Sequence, residues 1–371
     1  MIDPTSPENT EANGELFCSI VIQFEDFKNP FPALERYQDV YTCFNDDIQG
    51  TGAVILGGVI NAVKRSGVPC KDQRAVFFGA GSAGVGVAKQ IVAFFMREGM
   101  TEDEARSCFW LVDTKGLVTA DRGDKLAEHK VYFARTDNAG QQFKTLEEVV
   151  DHVKPSILMG LSTQGGVFTP EILRKMAEWN TNPMIFPLSN PSSKSECDFE
   201  TAVTNTDGRV LFASGSPFPT MSFTNSAGET KMYYPGQGNN MYVFPGIGLG
   251  TILSKAVKVT DSMIYASGEA LSKALTAEEI ERGLLYPDLT RIRKVSVVVA
   301  RNVIRAAQEA KVDRETTLRT MDDETLDAWI KSRMYDPHTE VQSLEREVGS
   351  ILSTLGAPQQ FVNGSSDEAK L

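Results

Sequence analysis

The sequence contains no CxxC pair, and its five cysteines are scattered along the chain. An odd number of scattered cysteines excludes a disulfide framework and favours free thiols in a reducing compartment. Apolar runs of about 18 residues, which a membrane-spanning helix requires, are also lacking. Residues 1–10 are acidic and contain proline, unlike a signal or transit peptide. These absences predict a cytoplasmic protein with no membrane partner, and a mitochondrial location stays open if a longer N-terminus exists.

Positive charge is scarce as well. The 37 Lys and Arg residues are outnumbered by 49 Asp and Glu residues, which gives a formal net charge of −12 at pH 7. The basic residues do not cluster on any segment, so the sequence lacks the positively charged patch that binds the phosphate backbone of a nucleic acid. We therefore exclude nucleic acid as a partner. An acidic protein that binds anionic ligands must concentrate positive potential locally, with a metal ion, a helix N-terminus or single basic side chains.

The chain is long enough for more than one domain. Its 371 residues exceed the usual size of a single domain, and 41% hydrophobic with 23% charged residues is typical of a globular protein. From residue 74 onward, short apolar runs alternate with helical stretches. This alternation predicts an α/β fold, in which a Rossmann-like doubly wound parallel sheet is joined by a partial second α/β domain that C-terminal helices complete.

Composition and periodicity divide the chain into regions. The predicted regions are a disordered N-terminus at 1–16, a partial second domain at 17–45 and 240–335, a Rossmann domain at 46–239, and a peripheral tail at 336–371. Apolar runs predict strands at 16–24, 40–44, 74–78, 108–112, 157–161, 184–188 and 210–213. Helical spacing predicts helices at 48–64, 84–98, 170–179, 241–257, 262–275 and 292–310. The first strand, LFCSIVIQF, is predicted to be buried.

A glycine-rich motif, GAGSAG, directly follows the predicted strand RAVFF and directly opens a helix. In this context Gly79 allows a tight turn, Gly81 lets the backbone approach a pyrophosphate, and Gly84 permits close packing of helix and strand. Ser82 and Ala83, between the second and third glycines, are predicted to bind the cofactor with them, and the N-terminus of the following helix supplies partial positive charge. The motif therefore predicts NAD or NADP as cofactor. A plain glycine-rich turn is the alternative interpretation.

Asp113 ends the second strand of this unit, where a carboxylate commonly accepts the hydroxyls of the adenosine ribose. Its separation from the glycines exceeds the usual ~20 residues, and a long helix plus an inserted TEDE capping-box segment accounts for the excess. Asp113 favours NAD, whereas Thr114, Lys115 and Lys130 favour NADP because they are suited to contact a 2′-phosphate. Asp113 is alternatively an acidic turn residue.

Two acidic pairs follow the first two apolar segments. Glu25 and Asp26 come after the first, and Asp46 and Asp47 come after the second. Carboxylate oxygens suit Mg²⁺ or Mn²⁺ better than zinc, and the three histidines of the chain lie elsewhere. Isolated acidic pairs are also typical of turns and helix caps. Their occurrence upstream of a nucleotide fold favours a metal site.

These residues carry a family resemblance. QFEDF at 23–27 followed by FNDDIQGT at 44–51 resembles the paired metal-site motifs of malic enzymes. The resemblance continues through GAGSAG, and covers nearly the whole chain from residue 22 to about 335. Further matching motifs are LSNP at 188–191, FASGSPF at 212–218, YPGQGNN at 234–240 and LYP at 285–287.

The resemblance implies an activity and a set of roles. Malic enzymes oxidatively decarboxylate malate to pyruvate and CO₂ while reducing NAD or NADP, with a divalent cation. By resemblance, Glu25, Asp26 and Asp47 hold the Mg²⁺ or Mn²⁺, and Asp46 assists general-base chemistry. The ligand contacts implied are Asn190 with malate or the nicotinamide side of the cofactor, and Asn239 and Asn240 with malate. The small-molecule partners are then malate and pyruvate, the segments 17–45 and 240–335 carry the metal and substrate site, and we expect a homo-oligomer.

One departure from the family is large. Malic enzymes are expected to use a Lys and a Tyr upstream of the first acidic motif for proton transfer, and residues 1–27 contain no Lys, Tyr, Arg or His. We expect a truncated form that turns over malate poorly or not at all by itself, because losing a general acid or base costs about 10²–10⁴-fold in rate. Two alternatives remain: a non-catalytic NAD(P)-binding or regulatory module, and a malolactic-type enzyme that releases lactate without net NADH.

Overall fold

The computed structural model describes residues 20–27, 30–122 and 126–335. The strands in these ranges are β1 (Ile22–Phe24), β2 (Cys43–Asn45), β3 (Ala75–Phe78), β4 (Phe109–Asp113), β5 (Gly116–Leu117), β6 (Ile157–Gly160), β7 (Met184–Pro187), β8 (Leu211–Ser214), β9 (Met221–Thr224), β10 (Thr230–Tyr233) and β11 (Gly236–Gln237). The α-helices are α1 (Phe31–Tyr37), α2 (Thr51–Ser66), α3 (Ser82–Arg97), α4 (Glu102–Ser107), α5 (Glu128–Val131), α6 (Leu146–Val153), α7 (Pro170–Trp179), α8 (Phe199–Asn205), α9 (Phe244–Ser254), α10 (Asp261–Lys273), α11 (Ala277–Glu281), α12 (Ile292–Glu309) and α13 (Asp323–Arg333). The predicted strands and helices from residue 74 to 310 are therefore present, with ends shifted by a few residues.

The main sheet has seven strands in the order β5-β4-β3-β6-β7-β8-β11. All neighbouring strands are parallel except β4 and β5, which form an antiparallel edge. From β3 the chain continues to β4 on one side and later to β6 on the other. This reversal is the topological switch point of a doubly wound sheet, where a crevice opens at the carboxyl ends of the strands. The Rossmann-like prediction is confirmed.

The sheet is buried on both faces because alternate strand residues join two hydrophobic clusters. Val76, Leu158 and Ile185 pack on the face that α6, α7 and α8 cover. Phe77 and Met159 point to the opposite face, where α2 and α3 contribute much of the cluster. A parallel sheet covered by helices in this way reads as continuous apolar runs, which is how its strands were recognisable in the sequence.

The first predicted strand differs from the structure. Only Ile22–Phe24 is a strand, its residues are half-buried or exposed, and residues 16–19 lie outside the described ranges. The prediction that this strand is buried is therefore wrong for the part described. The physical reason is its place, because among the described strands β1 pairs with β2 alone, in a two-stranded parallel sheet separate from the main one. Phe24 instead packs its ring near those of Phe27 and Tyr37.

Four strands were not predicted, and one of them is the two-residue edge strand β5 beside β4. β9 and β10 form an antiparallel hairpin whose residues are mostly exposed, and β11 adds two residues to the edge of the main sheet beside β8. Such short segments, with little apolar content to bury, lack the pattern by which a strand is recognised.

An irregular turn connects the small sheet to the helices. Asp46–Gly50 forms one π-helical turn. The Asn45 side chain caps it by accepting a hydrogen bond from the Ile48 N–H at 2.8 Å. α2 follows directly and ends at Gly67, which has a φ of 70°. α2 packs against α3 and α10, while α12 packs against α9 and α10. The C-terminal helices thus cover the same core as the sheet.

The chain divides into two compact units, one running through Asp327 and one beginning at Ala328. In the second unit, the Arg333 guanidinium lies 5.2 Å from the centre of the Trp329 ring. The predicted boundaries between 46–239 and the segments 17–45 and 240–335 stay predictions, and the predicted disordered N-terminus and peripheral tail lie outside the described residues. Among the described helices, none has the length and apolar character needed to cross a membrane.

Candidate functional site

The glycine motif forms the loop between β3 and α3. Gly79 has a φ of 122°, and a Cβ there would lie 2.3 Å from the carbonyl oxygen of Leu161, so this loop touches the loop after β6. A Cβ on Gly84 would lie 2.0 Å from the Gly79 oxygen, whereas a Cβ on Gly81 would meet nothing within 4 Å. The first and third glycines are required by packing, and the second leaves open space. This geometry is the one that a pyrophosphate-binding loop requires.

Ser82 and Ala83 form the first turn of α3, and both are half-buried. No side chain caps the N-terminus of this 16-residue helix. Its first N–H groups therefore face the mouth of the crevice with the positive end of the helix dipole. An anionic pyrophosphate is the ligand that such a helix end favours.

Asp113 ends β4, as expected, but its carboxylate is already paired. Arg122 donates to both of its oxygens, at 2.8 and 2.9 Å, and the Lys130 ammonium donates at 2.7 Å. The Lys115 N–H also donates to it, at 2.9 Å. Burial opposes ionisation, but the hydrogen bonds from these cationic groups outweigh it and lower the pKa of Asp113 to about 2. The end of β4 is therefore not a bare carboxylate.

The predicted metal ligands come together. The parallel register that pairs Phe24 with Asn45 brings the residues after β1 beside those after β2. One carboxylate oxygen each from Glu25, Asp26 and Asp47 lies within 4.8 Å of the others. Asp26 has a φ of 59°, and its N–H donates to Asp47 Oδ2 at 2.9 Å. Three carboxylates at this separation repel one another, and a hard divalent cation relieves that repulsion.

Asp46 lies beside this cluster and is buried, with 2% of its surface exposed. Asn240 donates to its Oδ2 at 3.0 Å and to its main-chain oxygen at 3.2 Å. Its Oδ1 has no partner among the described residues and lies against Gly50, where a Cβ would be 1.8 Å away. Burial raises the pKa of Asp46 to about 7, opposed by the hydrogen bond from Asn240. The unpartnered oxygen and the adjoining carboxylates fit a site for Mg²⁺ or Mn²⁺.

The three predicted asparagines are placed differently. Asn240 reaches Asp46 and accepts a hydrogen bond from the Thr51 hydroxyl at 3.2 Å, whereas the Asn239 side chain accepts from the Met241 N–H at 3.0 Å and caps a short 3₁₀ turn. Asn190 is exposed after β7, and its Oδ1 accepts from the Ser216 hydroxyl at 2.7 Å. Their contacts with malate or nicotinamide stay predictions.

The carboxylate cluster and the glycine loop both lie next to the N-terminal part of α3. Gly86 lies one turn inside α3, and a Cβ there would be 2.8 Å from the Cγ2 atom of Ile48, in the turn that carries Asp46 and Asp47. The glycine permits this close approach, so the acidic turn packs beside the N-terminal part of the helix that the dinucleotide loop opens.

Comparison with known proteins agrees with this architecture. A family model described as "Malic enzyme, NAD binding domain" matches residues 48–308. The chain belongs to the malic enzyme family. An NADP-dependent malic enzyme of Dictyostelium discoideum is 45% identical over 320 residues, which is 86% of this chain and 57% of that protein. The human NADP-dependent malic enzyme is 39% identical over 317 residues, 85% of this chain and 53% of that protein. The chain spans about half the length of the curated relatives it matches.

Solved structures of malic enzymes share the fold. A crystal structure of malic enzyme from Pyrococcus horikoshii superposes with a TM-score of 0.64 at 27% identity, covering 84% of this chain and 65% of that one. A crystal structure of NAD-dependent malic enzyme from Thermotoga maritima gives a TM-score of 0.59 at 26% identity, covering 81% and 71%. The family prediction and the fold class are both confirmed.

Two polar residues of this malic enzyme chain were missed in the sequence. Arg122 pairs with Asp113, and Glu196 is a fully buried carboxyl between the loops that follow β6 and β7. Neither stands in a recognisable spacing relative to its partners, which are 9 residues away for Arg122 and 34 for the contact of Glu196 with Ser162. No local pattern could have identified them.

Proposed function

We propose that this chain forms the cofactor- and metal-binding part of a malic enzyme, which oxidatively decarboxylates malate to pyruvate and CO₂ while reducing a nicotinamide dinucleotide. The observation that carries the proposal is the packing of Ile48 on Gly86. It supports a shared site because the carboxylate cluster and the dinucleotide loop are then attached to the same end of α3. A hydride acceptor and a cation-bound hydroxy acid must lie side by side for this reaction.

Glu25, Asp26 and Asp47 would hold the divalent cation through one oxygen each. When bound, this ion supplies Lewis-acid chemistry at the oxygen of the substrate's second carbon. The remaining roles at this site, proton transfer and orientation, would belong to side chains of the chain itself. Asp46 would hold or move a proton at its unpartnered Oδ1, and Asn240 would keep that carboxyl oriented through its bond to Oδ2. Asn190 would offer its amide to the substrate or the nicotinamide.

We further propose that NADP is the preferred cofactor. The relatives described above from Dictyostelium and human are named NADP-dependent. A bare carboxylate at the end of β4 would repel a 2′-phosphate, but the negative charge of Asp113 is compensated by ion pairs with both Arg122 and Lys130. Arg122 and Lys130 therefore bring positively charged groups to the end of β4. This charge balance suits an adenosine that carries a 2′-phosphate.

Cofactor choice is tested by titrating the purified chain with NADP⁺ and NAD⁺ in a calorimeter. Lys130→Ala should weaken NADP⁺ binding by about tenfold and leave NAD⁺ binding unchanged, because only the 2′-phosphate needs the ammonium. Lys273→Ala, which removes an exposed lysine paired with Glu269 on α10, is the control and should alter neither. Equal losses for the two dinucleotides in Lys130→Ala would contradict the preference.

The reaction is tested by supplying malate, Mn²⁺ and NADP⁺ to the purified chain and following cofactor reduction and product. Binding of Mn²⁺ and NADP⁺ with low turnover is the expected result, and pyruvate is the expected product. Failure to bind any dinucleotide would overturn the proposal. Lactate as product would favour the malolactic alternative, and binding with no turnover even when a full-length malic enzyme is supplied as partner would favour a nucleotide-binding module. Rapid Mn²⁺-dependent turnover would contradict the prediction of low activity.

Two further predictions are tested separately. Assembly as a homo-oligomer stays a prediction, which light scattering of the purified chain checks. The cytoplasmic location also stays a prediction. It is supported by the free, buried state of Cys43, Cys70, Cys108 and Cys197, four of the five cysteines.

A further inference from the structure

Glu196 is the most completely buried carboxyl near the crevice, with 0% of its surface exposed. Its Oε1 accepts hydrogen bonds from the Ser162 N–H at 3.0 Å, the Ser162 hydroxyl at 2.9 Å and the Ser189 hydroxyl at 2.5 Å. Its Oε2 accepts from the Ser189 N–H at 3.3 Å. The network extends to the Thr163 N–H, which donates to the Ser189 hydroxyl at 2.8 Å. All of these donors belong to the loops that directly follow β6 and β7.

A carboxyl is a costly group to bury, and this one has no compensating cation. No salt bridge joins Glu196 to a basic side chain anywhere in residues 20–27, 30–122 and 126–335. The burial is offset only by the hydrogen bonds from Ser162 and Ser189. Gly160, the last residue of β6, makes room for it, because a Cβ there would lie 2.3 Å from the Glu196 Cδ atom. The carboxyl end of β6 therefore leaves space for the Glu196 side chain.

The position of the two loops relates the network to the cofactor. A dinucleotide lies across the switch point of a doubly wound sheet, with the adenosine half over the side of β4. The other half then lies over the side of β6 and β7. Leu161, just before Ser162, touches Gly79 in the glycine loop, and Ser189 directly precedes Asn190. Glu196 therefore joins the two loops that flank the predicted place of the nicotinamide half.

We propose that Glu196 is a positioning residue that holds the loops after β6 and β7 in the conformation that receives the nicotinamide half of the cofactor. This inference rests on the proposed function of the crevice as a dinucleotide site. Glu196 does not touch the cofactor in this account. It acts through Ser162, Thr163 and Ser189, whose main-chain N–H groups it aligns directly or through the Ser189 hydroxyl.

The test compares Glu196→Gln with the wild-type chain, using two ligands. NADP⁺ spans the whole crevice, whereas 2′-phospho-ADP-ribose lacks the nicotinamide ring. Gln places an amide nitrogen where one carboxyl oxygen accepted hydrogen bonds, so at least one serine donor is left without an acceptor. NADP⁺ binding should weaken by about tenfold, and 2′-phospho-ADP-ribose binding should be unchanged. A general loss of structure would weaken both ligands alike, and that result would overturn the proposal.

Glu279→Gln is the matched control. Glu279 is also buried, and it accepts hydrogen bonds from the main-chain N–H groups of Thr276 at 2.7 Å and Asp288 at 2.8 Å, among the C-terminal helices. Unlike Glu196, it is also paired with the guanidinium of Arg291. Its substitution removes a buried hydrogen-bonded carboxyl away from the crevice and should leave binding of both ligands unchanged. A loss of NADP⁺ affinity in this variant equal to that in Glu196→Gln would refute a specific role for Glu196.

Hydrogen exchange separates this inference from the proposed function. In the ligand-free chain, the amides of Ser162, Thr163 and Ser189 should exchange about tenfold faster in Glu196→Gln and at the wild-type rate in Glu279→Gln. If the wild-type chain bound no dinucleotide, the proposed function would fail, and unchanged exchange would independently refute the loop role. Should Glu196→Gln not fold, Ser162→Ala removes one donor only. It should give a smaller selective loss of NADP⁺ binding, about threefold, and no loss would count against the proposal.

Discussion

The dinucleotide crevice and the carboxylate cluster are built in opposite ways. The crevice is formed by loops that leave successive strands of one seven-stranded sheet, and its glycine loop is a single run of residues 79–84. The cluster gathers residues 25, 26 and 47 just after two three-residue strands, and Asp46 beside it is bonded by Asn240 from far along the chain. The geometry of the crevice is therefore fixed by the hydrophobic core under the sheet, whereas the geometry of the cluster is fixed by contacts among a few side chains.

This difference predicts how each site responds to change. A substitution of Gly79 or Gly84 disturbs packing and therefore both folding and cofactor binding. A substitution in the carboxylate cluster removes a predicted metal ligand from an exposed or half-buried surface, so it should weaken metal binding strongly while leaving the fold intact. Four variants test that contrast, beginning with the one that should perturb the chain most.

Gly79→Ala should destabilise the chain by about 3 kcal/mol, because its Cβ would overlap a main-chain carbonyl and its backbone conformation is unfavourable for alanine. NADP⁺ binding should fall with it. Gly81→Ala is the matched control, since a Cβ there meets nothing within 4 Å. It should leave the urea midpoint unchanged and weaken NADP⁺ binding alone. Equal midpoints for the two variants would contradict the packing role of Gly79.

Asp47→Asn should weaken Mn²⁺ binding by about 100-fold, because even the loss of a partner outside the ligand set costs about 10–100-fold. Electron paramagnetic resonance of free Mn²⁺ measures this directly. NADP⁺ binding and the unfolding midpoint should stay at wild-type values. Asp39→Asn, an exposed carboxylate paired with Lys258, serves as control. If both variants bound Mn²⁺ like the wild type, the cluster would not be a metal site.

The pairing of Asp113 predicts a pH effect on stability. Its pKa in the folded chain is about 2, below the ordinary value of 3.8. The ion pairs therefore add stability that is fully present above pH 4 and is lost as the pH falls towards 2, amounting to about 2 kcal/mol. Denaturation of Asp113→Asn across this range should show a flatter slope than wild type. Lys130→Ala should flatten it only in part, and an unaltered slope in both variants would argue against the pairing.

Thr101→Ala removes a helix cap remote from both sites. The Thr101 side chain and Glu104 form a reciprocal capping box at the start of α4. Its loss should cost about 1 kcal/mol of stability in chemical denaturation. Mn²⁺ and NADP⁺ affinities should not change, and a loss of either would mean that the two sites are coupled to surface helices more widely than the contrast allows.

Much of the fold was predictable because it follows from contiguous patterns. The helix Pro170–Trp179 has its predicted bounds, with Thr169 as cap and proline at its start. The strands of the main sheet were recognisable because burial on both faces demands continuous apolar runs. The hairpin of β9 and β10 was missed since its residues are largely exposed, and the strand at Ile22–Phe24 was overestimated since apolar content does not reveal which sheet a strand joins.

Residues that are neighbours in the chain could be identified from the sequence, namely the glycines of the loop and the two acidic pairs. The bond from Asn240 to Asp46 spans 194 residues and depends on tertiary packing, as does the pairing of Arg122 and Lys130 with the carboxylate of Asp113. The same holds for Glu196, which joins two loops. Backbone preference and hydrophobic periodicity determine structure only among residues that are close in the sequence. These hydrogen bonds form where strands and helices far apart in sequence pack together.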